Sequence, residues 1–185
     1  MLLVAGLLAV WRLAPKVPLR VNLSDSIPIG LYRFSPIGSK DASKLKVGTI
    51  VLACLDRRWS TYGVERRYLG RGSCPGNASP IGKPIVATAG AIVGVTGRGV
   101  VVNGKLLENT RPMPHDHAGR VVEGIAPGDY VVERGYVWLV ANHIALSWDS
   151  RYFGPVPISG VIGVLRPMLV VRRTARWGSR VPGVR

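Results

Sequence analysis

Three short stretches of this chain hold residue types able to do covalent chemistry. The first is Asn22-Leu23-Ser24-Asp25-Ser26-Ile27-Pro28-Ile29-Gly30-Leu31-Tyr32. Pro28 fixes its own φ and disfavours helix at Ile27, so Ser26 is held on an extended or turned segment with its hydroxyl free. Taken alone, the stretch also reads as an ordinary polar loop. The second is Gly82-Lys83-Pro84-Ile85-Val86-Ala87-Thr88-Ala89-Gly90, in which Lys83 is the one cation between Asn77 and Gly97. A lysine that enters a buried strand loses hydration, and its pKa falls from about 10.4. A neutral lysine amine is a competent general base. A lysine that snorkels out at a strand edge keeps its charge and does no such chemistry. The third is Ser147-Trp148-Asp149-Ser150-Arg151-Tyr152-Phe153-Gly154-Pro155-Val156. On a strand, Asp149 and Arg151 share a face and can pair. The serines can then orient neighbouring groups, or the stretch is a turn with a surface ion pair.

The elements that must position these residues read as β from Val47 onward. Val47–Cys54 is a mostly buried strand, and Ile85–Thr88 and Ile92–Thr96 are two more. Val100-Val101-Val102 meets Asn103-Gly104, a strong hairpin signal because both turn residues accept positive φ. Tyr130–Glu133 and Tyr136–Val140 read as a second hairpin around Arg134-Gly135, and residues 160–165 as a last strand. Residues 57–80 read as an excursion rich in Gly, Pro and Arg, and residues 108–128 as a polar, Pro-rich loop. No internal repeat and no long amphipathic helix stands out. The expected fold is mainly β, one coiled antiparallel sheet or a pair of sheets.

At 185 residues the chain suits one domain, and its 47% hydrophobic and 19% charged residues argue against disorder. Gly 23 and Pro 14 argue against a helical bundle. Lys+Arg 25 against Asp+Glu 10 gives +15, which suits an anionic membrane surface, a nucleic acid or an acidic partner. Cys54 and Cys74 belong to no C-x-x-C pair, so a four-cysteine zinc site is excluded. They form one disulfide in an oxidising compartment, or remain two buried thiols in a reducing one.

The chain opens with MLLVAGLLAVW, eleven apolar residues, and then Arg12. A membrane span needs about 20. The run reads as the end of an anchor helix, shortened at its start, or as a buried core helix or strand. Arg12, Lys16 and Arg20 follow, with Pro15 and Pro18 breaking any helix. Residues 166–185 carry six arginines and no acid, and read as a mobile basic tail. The expected divisions are an anchor at 1–14, a catalytic domain at 15–168 and a basic tail at 169–185.

In combination the motifs are far more specific than singly. An S-x-P serine, a lysine opening K-P-I-V-A-x-x-G, a V-N-G hairpin and S-x-D-S-R-Y-F-G-P-V occur in this order. The chain thereby resembles the type I signal peptidases, a family of serine–lysine proteases. Ser24 to Tyr32 together with Ser147 to Pro155 look most like its TraF-type conjugal-transfer branch, over roughly residues 20–168. The resemblance implies a signal-peptidase-like β-domain behind a short N-terminal anchor helix. It implies Ser26 as nucleophile, Lys83 as general base and Ser147 as the residue that orients the lysine. Ser24, with the Ser26 backbone N–H, matches the oxyanion hole, and Asp149 and Arg151 match a structural ion pair beside the site. No metal or organic cofactor is implied. The implied substrate is an exported precursor with small residues at P1 and P3, for this branch a pilin precursor, released by hydrolysis or joined into a circle. The implied place is the bacterial inner membrane, with the catalytic domain on the periplasmic or outer side. Two departures stand out: Gly90-Ala91 replaces the family's G-D, and Ala141-Asn142-His143 replaces its G-D-N. The first removes an acidic residue, and the second favours a specialised relative over a general leader peptidase.

Other readings compete. A Ser-His-Asp enzyme would lack a G-x-S-x-G elbow here. His115-Asp116-His117 offers two imidazoles in a Pro-rich loop with no evident third ligand, so solvated histidines are expected and no metal. A non-enzymatic nucleic-acid-binding β-domain would use arginines 57, 58, 66, 67 and 71 with Trp59, Tyr62 and Tyr68 as a stacking surface. The plainer reading is a basic face attracted to anionic lipid, with no specific nucleic acid. A repressor-type self-cleaving Ser–Lys fold would share the dyad without needing the anchor or the last motif.

Overall fold

The structure, a computed structural model, describes residues 18–38 and 45–171. The anchor expected at 1–14 and residues 172–185 of the basic tail lie outside the described residues. Among the described residues no helix is long and apolar enough to cross a membrane.

The strands are β1 (Leu19–Asn22), β2 (Gly30–Pro36), β3 (Ile50–Ala53), β4 (Arg71–Cys74), β5 (Ile81–Thr88) and β6 (Ile92–Thr96). They continue with β7 (Gly99–Val102), β8 (Lys105–Leu106), β9 (Gly128–Val131), β10 (Tyr136–Leu139), β11 (Val156–Pro157) and β12 (Val161–Val170). Two short helices interrupt them, α1 (Arg57–Glu65) and α2 (Ser150–Phe153). A seven-stranded sheet has the order β1-β2-β12-β3-β5-β10-β11, and a four-stranded sheet the order β8-β7-β6-β9. The registered pairs are antiparallel throughout, so the mainly β, coiled antiparallel architecture is what the chain adopts.

Alternation along β5 explains how it carries both packing and chemistry. Ile81, Lys83, Ile85 and Ala87 are buried, and the residues between them are half-buried. Ile81 and Ile85 join Val51, Ala53 and Leu139 in one core, which Trp59 and Phe153 of the helices cap. The other face of the large sheet holds Ile27, Tyr32 and Leu165, with Phe34, Ile50 and Leu52 packed against them. Val93, Val95 and Val100 of the small sheet pack with Ala87 and Trp138 of the large sheet in a second core. Asn103 and Gly104 adopt φ of 48° and 81°, the turn that joins β7 to β8.

Three sequence expectations are corrected. Tyr130–Glu133 and Tyr136–Val140 do not form a hairpin: β9 pairs with β6 in the small sheet, while β10 pairs with β5 and β11 in the large one. The intervening Glu133-Arg134-Gly135 therefore passes from one sheet to the other. Within the 57–80 excursion between β3 and β5, Asp56 caps α1 by accepting from the Trp59 N–H at 2.9 Å. The last strand does not stop at Leu165, and the basic tail does not begin at Arg166. β12 continues to Val170 and pairs Arg166, Pro167, Leu169 and Val170 with β2. Pairing with β3 ends at Leu165, so Pro167 falls at a register shift where only one neighbour needs bonding. Finally, Asp149 and Arg151 are not on a strand: Asp149 is the N-cap of α2.

Candidate active site

β1 ends at Asn22 and β2 begins at Gly30, and the seven residues between them form the loop that carries Ser26. This loop is held internally. Asn22 Nδ2 donates to the carbonyls of Ser24 at 2.7 Å, Ile27 at 3.0 Å and Pro28 at 3.2 Å. Asn22 Oδ1 accepts from the Ser24 N–H at 3.2 Å and the Ser24 hydroxyl at 2.7 Å. The buried Tyr32 hydroxyl donates to the Pro28 carbonyl at 2.5 Å. Ile27, also buried, anchors the loop next to Ser26 in the core with Tyr32 and Leu165. Gly30 is required where β2 starts, because a Cβ there would lie 2.2 Å from the Leu169 carbonyl oxygen.

Lys83 arrives from β5, whose register sets it opposite Val51 of β3. Its side chain is 4% exposed. Nζ donates to Ser26 Oγ and, at 2.7 Å, to Ser147 Oγ. Burial is the largest influence on its charge, and it lowers the pKa to about 8. Asp149 pulls the value back up and Arg151 pushes it further down. A fraction of Lys83 is therefore neutral near physiological pH, with its lone pair available to a proton on Ser26.

Ser147 lies on the loop between β10 and α2, and the Asp149–Arg151 pair fixes that loop. Both side chains are 0% exposed, and Arg151 Nε donates to Asp149 Oδ1 at 2.8 Å while Nη2 donates to Oδ2 at 2.8 Å. Remaining donors and acceptors go to the loop itself. Asp149 Oδ2 accepts from the Ala141 N–H at 3.0 Å, and Arg151 donates to the carbonyls of Ala141 at 3.0 Å and Ala145 at 3.1 Å. Ser150 Oγ accepts from the Leu139 N–H at 2.9 Å, which ties α2 to β10. The pair thus sets the path of 141–147 from both ends.

A cleft of about 500 Å³ opens over this group, lined by Ser24, Ser26, Lys83 and Ser147. One wall is the 113–122 loop. Asp116 accepts from the Tyr68 hydroxyl at 2.8 Å and from Arg120 Nε at 2.8 Å, which pins the loop to the segment after α1. The Arg120 hydrogen bond holds the Asp116 carboxyl well below its usual range. Burial, and then the Asp116 hydrogen bond, push the Tyr68 hydroxyl up to about 12. Asp116 is thereby committed to Tyr68, Arg120 and nearby backbone N–H groups, and no cluster of three metal-ligating side chains occurs among the described residues.

The structure brings Ser26, Lys83 and Ser147 into contact and sets Ser24 on the rim of the same cleft. The Ser24 hydroxyl is directed at Asn22. Cys54 and Cys74 form a disulfide away from the dyad, joining the end of β3 to the end of β4. Asn22 is the residue that sequence reasoning missed. Its signal was an Asn at the end of a strand followed by Ser-x-Ser-x-Pro, where a short amide can satisfy several loop carbonyls. The proposed stacking surface is spent internally: Trp59 is buried, and Tyr62 stacks on Trp148 with ring centroids 6.1 Å apart. Arg58 and Arg66 lie over the rings of Trp59 and Tyr62.

The Ser26–Lys83 contact stands on the coiled β-domain, and the chain's sequence matches a peptidase family. Residues 1–169 match the signal peptidase family, peptidase S26, and the chain belongs to that family. It is 35% identical over 155 residues to a plasmid transfer protein TraF of Escherichia coli, covering 81% of this chain and 82% of the relative. It is 33% identical over 155 residues to a conjugal transfer protein TraF of Agrobacterium fabrum, covering 80% and 81%. A signal peptidase I structure from Enterococcus faecalis matches 65% of this chain and 96% of that one, at 16% identity and a TM-score of 0.36, too loose a superposition to build on.

Proposed function

We propose that the protein is a membrane-associated serine endopeptidase that processes an exported precursor, with Ser26 as nucleophile and Lys83 as general base. The observation that carries this reading is the buried Lys83 amine held between the Ser26 and Ser147 hydroxyls. Ser26 Oγ attacks the scissile carbonyl carbon as its proton passes to neutral Lys83 Nζ. The oxyanion is met by the Ser26 backbone N–H and by the Ser24 hydroxyl, which turns from Asn22 Oδ1 to donate. When the C–N bond breaks, the Lys83 ammonium returns the proton to the leaving amine, leaving the acyl group on Ser26. Water then attacks the ester and gives its proton to neutral Lys83, and as the C–Oγ bond breaks the Lys83 ammonium returns that proton to Ser26 Oγ, which releases the acid and restores the enzyme. If the amine of the same precursor attacks instead, the product is a closed chain.

The TraF names of the relatives support a role in conjugation, and the substrate of this proposal is a pilin precursor. An apolar rim supports action at the membrane. Val21, Leu31 and Leu169 stand in one row across β1, β2 and β12, and Leu23 and Leu169 are 80% and 75% exposed beside the nucleophile loop. The basic balance of +15 adds attraction to anionic lipid. The anchor at 1–14 and the peptidase domain at 15–168 belong to the same proposal.

The test is processing of exported precursors by membranes carrying wild type or Ser26→Ala, read as product mass. Cleavage that vanishes with Ser26→Ala supports the peptidase, and a mass one water short of the cleaved linear chain shows closure. Equal cleavage by wild type and Ser26→Ala would overturn Ser26 as nucleophile.

A further inference from the structure

A second groove runs on from the cleft over Lys83. Its volume is about 420 Å³, and Ser24, Ser79, Pro80 and Gly82 line both. Its floor is a row across the large sheet, Tyr32 of β2, Leu165 of β12 and Leu52 of β3. This floor is the face of the sheet opposite Lys83, since side chains alternate along β5. An extended peptide with its scissile carbonyl at Ser26 and its chain along the groove would place every second side chain on this floor.

Two arginines flank the floor, Arg20 of β1 and Arg71 of β4. Arg20 pairs in register with Tyr32, so its side chain stands on the groove face, and its guanidinium lies 5.4 Å from the Phe34 ring centroid. Among the described residues, neither guanidinium has an ion pair or a hydrogen bond. β4 belongs to neither sheet and is held by bridges to Ala78 and by Cys74, which is bonded to Cys54. The disulfide therefore sets the strand that presents Arg71. Arg20 and Arg71 are the charged residues on a groove whose other lining is apolar side chains, serines, Asn22 and Tyr32, and a carboxylate there can accept charge-assisted hydrogen bonds from them.

We propose that this groove selects an acidic side chain in the precursor. Because the groove shares Ser24, Ser79, Pro80 and Gly82 with the cleft over Lys83, the acidic residue lies within about five positions of the bond that is cut. The proposal rests on the peptidase reading and names the substrate class for it. The same arginines could instead face anionic lipid, and the test separates the two.

The probes are blocked peptides with Ala at P1 and P3, carrying Asp or Asn at each of five positions on either side of the bond. Cleavage by the full chain in detergent is measured for wild type, Arg20→Gln, Arg71→Gln and the double variant, with Ser26→Ala as the blank. The expected result is one position at which Asp exceeds Asn in kcat/KM by about two- to fivefold, the range of an ion pair with exposed arginines. That ratio falls to about one in the double variant and shrinks with added salt, and Arg20→Glu with Arg71→Glu turns the preference to Lys. Equal cleavage of Asp and Asn peptides at every position would overturn the proposal and leave the peptidase standing. So would an unchanged ratio in the double variant, together with lost binding to vesicles of anionic lipid. If no peptide is cleaved above the blank, the peptidase reading fails. Titration of the peptide pairs onto Ser26→Ala then decides the groove, with the same Asp-over-Asn ratio expected in Kd.

Discussion

The most quantitative prediction concerns the ionisation of Lys83. Its pKa near 8 arises mainly from burial on β5 between Ile81 and Ile85. As general base it works only when neutral. With a pKa of about 8, the neutral fraction is about 9% at pH 7 and about 90% at pH 9. Thus kcat/KM for an uncharged peptide should rise about tenfold across those two pH units and level off above. A lysine at its ordinary pKa would give a rise of about a hundredfold with no plateau before pH 10. The same shift makes a stability statement that needs no substrate. Between about pH 8 and pH 10.5 the unfolded chain carries a proton on this lysine that the folded chain has lost, so wild-type stability gains from Lys83 as pH rises through that window. Below pH 8 the folded state bears a buried charge, costing about 3 kcal/mol for a shift of this size. Lys83→Met should therefore raise the melting temperature at pH 7, and the difference from wild type should close by about pH 10.5. Paired melts across pH, with kcat/KM profiles for wild type, check both halves. A pH profile with its midpoint above 10, or a Lys83→Met variant no more stable than wild type at pH 7, would refute the reasoning.

Other perturbations separate chemistry from support. Ser147→Ala removes one of the two hydroxyls that hold Nζ and should lower kcat by about 10²-fold with KM little changed, in steady-state kinetics. Asp149→Ala leaves Arg151 charged and buried, and should cost about 3–5 kcal/mol in denaturant unfolding. Cys54→Ser with Cys74→Ser opens a link between residues 20 apart in sequence and should cost about 3 kcal/mol by the same assay.

The contact between Ser26 and Lys83 could be anticipated because both residues stand in unusual local sequence. Lys83 is a lone cation in an apolar strand, and Ser26 sits two residues before a proline. Ser147, Asp149 and Arg151 could be proposed together because they share one short motif, yet their support comes from a capping geometry that a strand reading misses. Asn22 escaped notice because its role depends on three carbonyls that converge only after the loop folds. Partnering of strands was the least legible feature. Tyr130–Glu133 and Tyr136–Val140 look like a hairpin locally, but competition from β6 and β5 for their edges decides the pairing. The run after Leu165 looked like a tail because Pro167 and the arginines mask a strand whose remaining neighbour is β2.

The central claim is that Lys83 delivers Ser26 as a nucleophile. The most direct test is intact-mass and peptide-mass measurement of the enzyme, quenched in acid during turnover of a blocked peptide ester at neutral pH. An acyl adduct on the peptide containing Ser26 is predicted, absent from Ser26→Ala and absent from both Lys83→Ala and Lys83→Arg, since a guanidinium stays charged and cannot take the proton. An adduct on another residue, or one that forms on Ser26 in Lys83→Arg at the wild-type rate, would contradict the account.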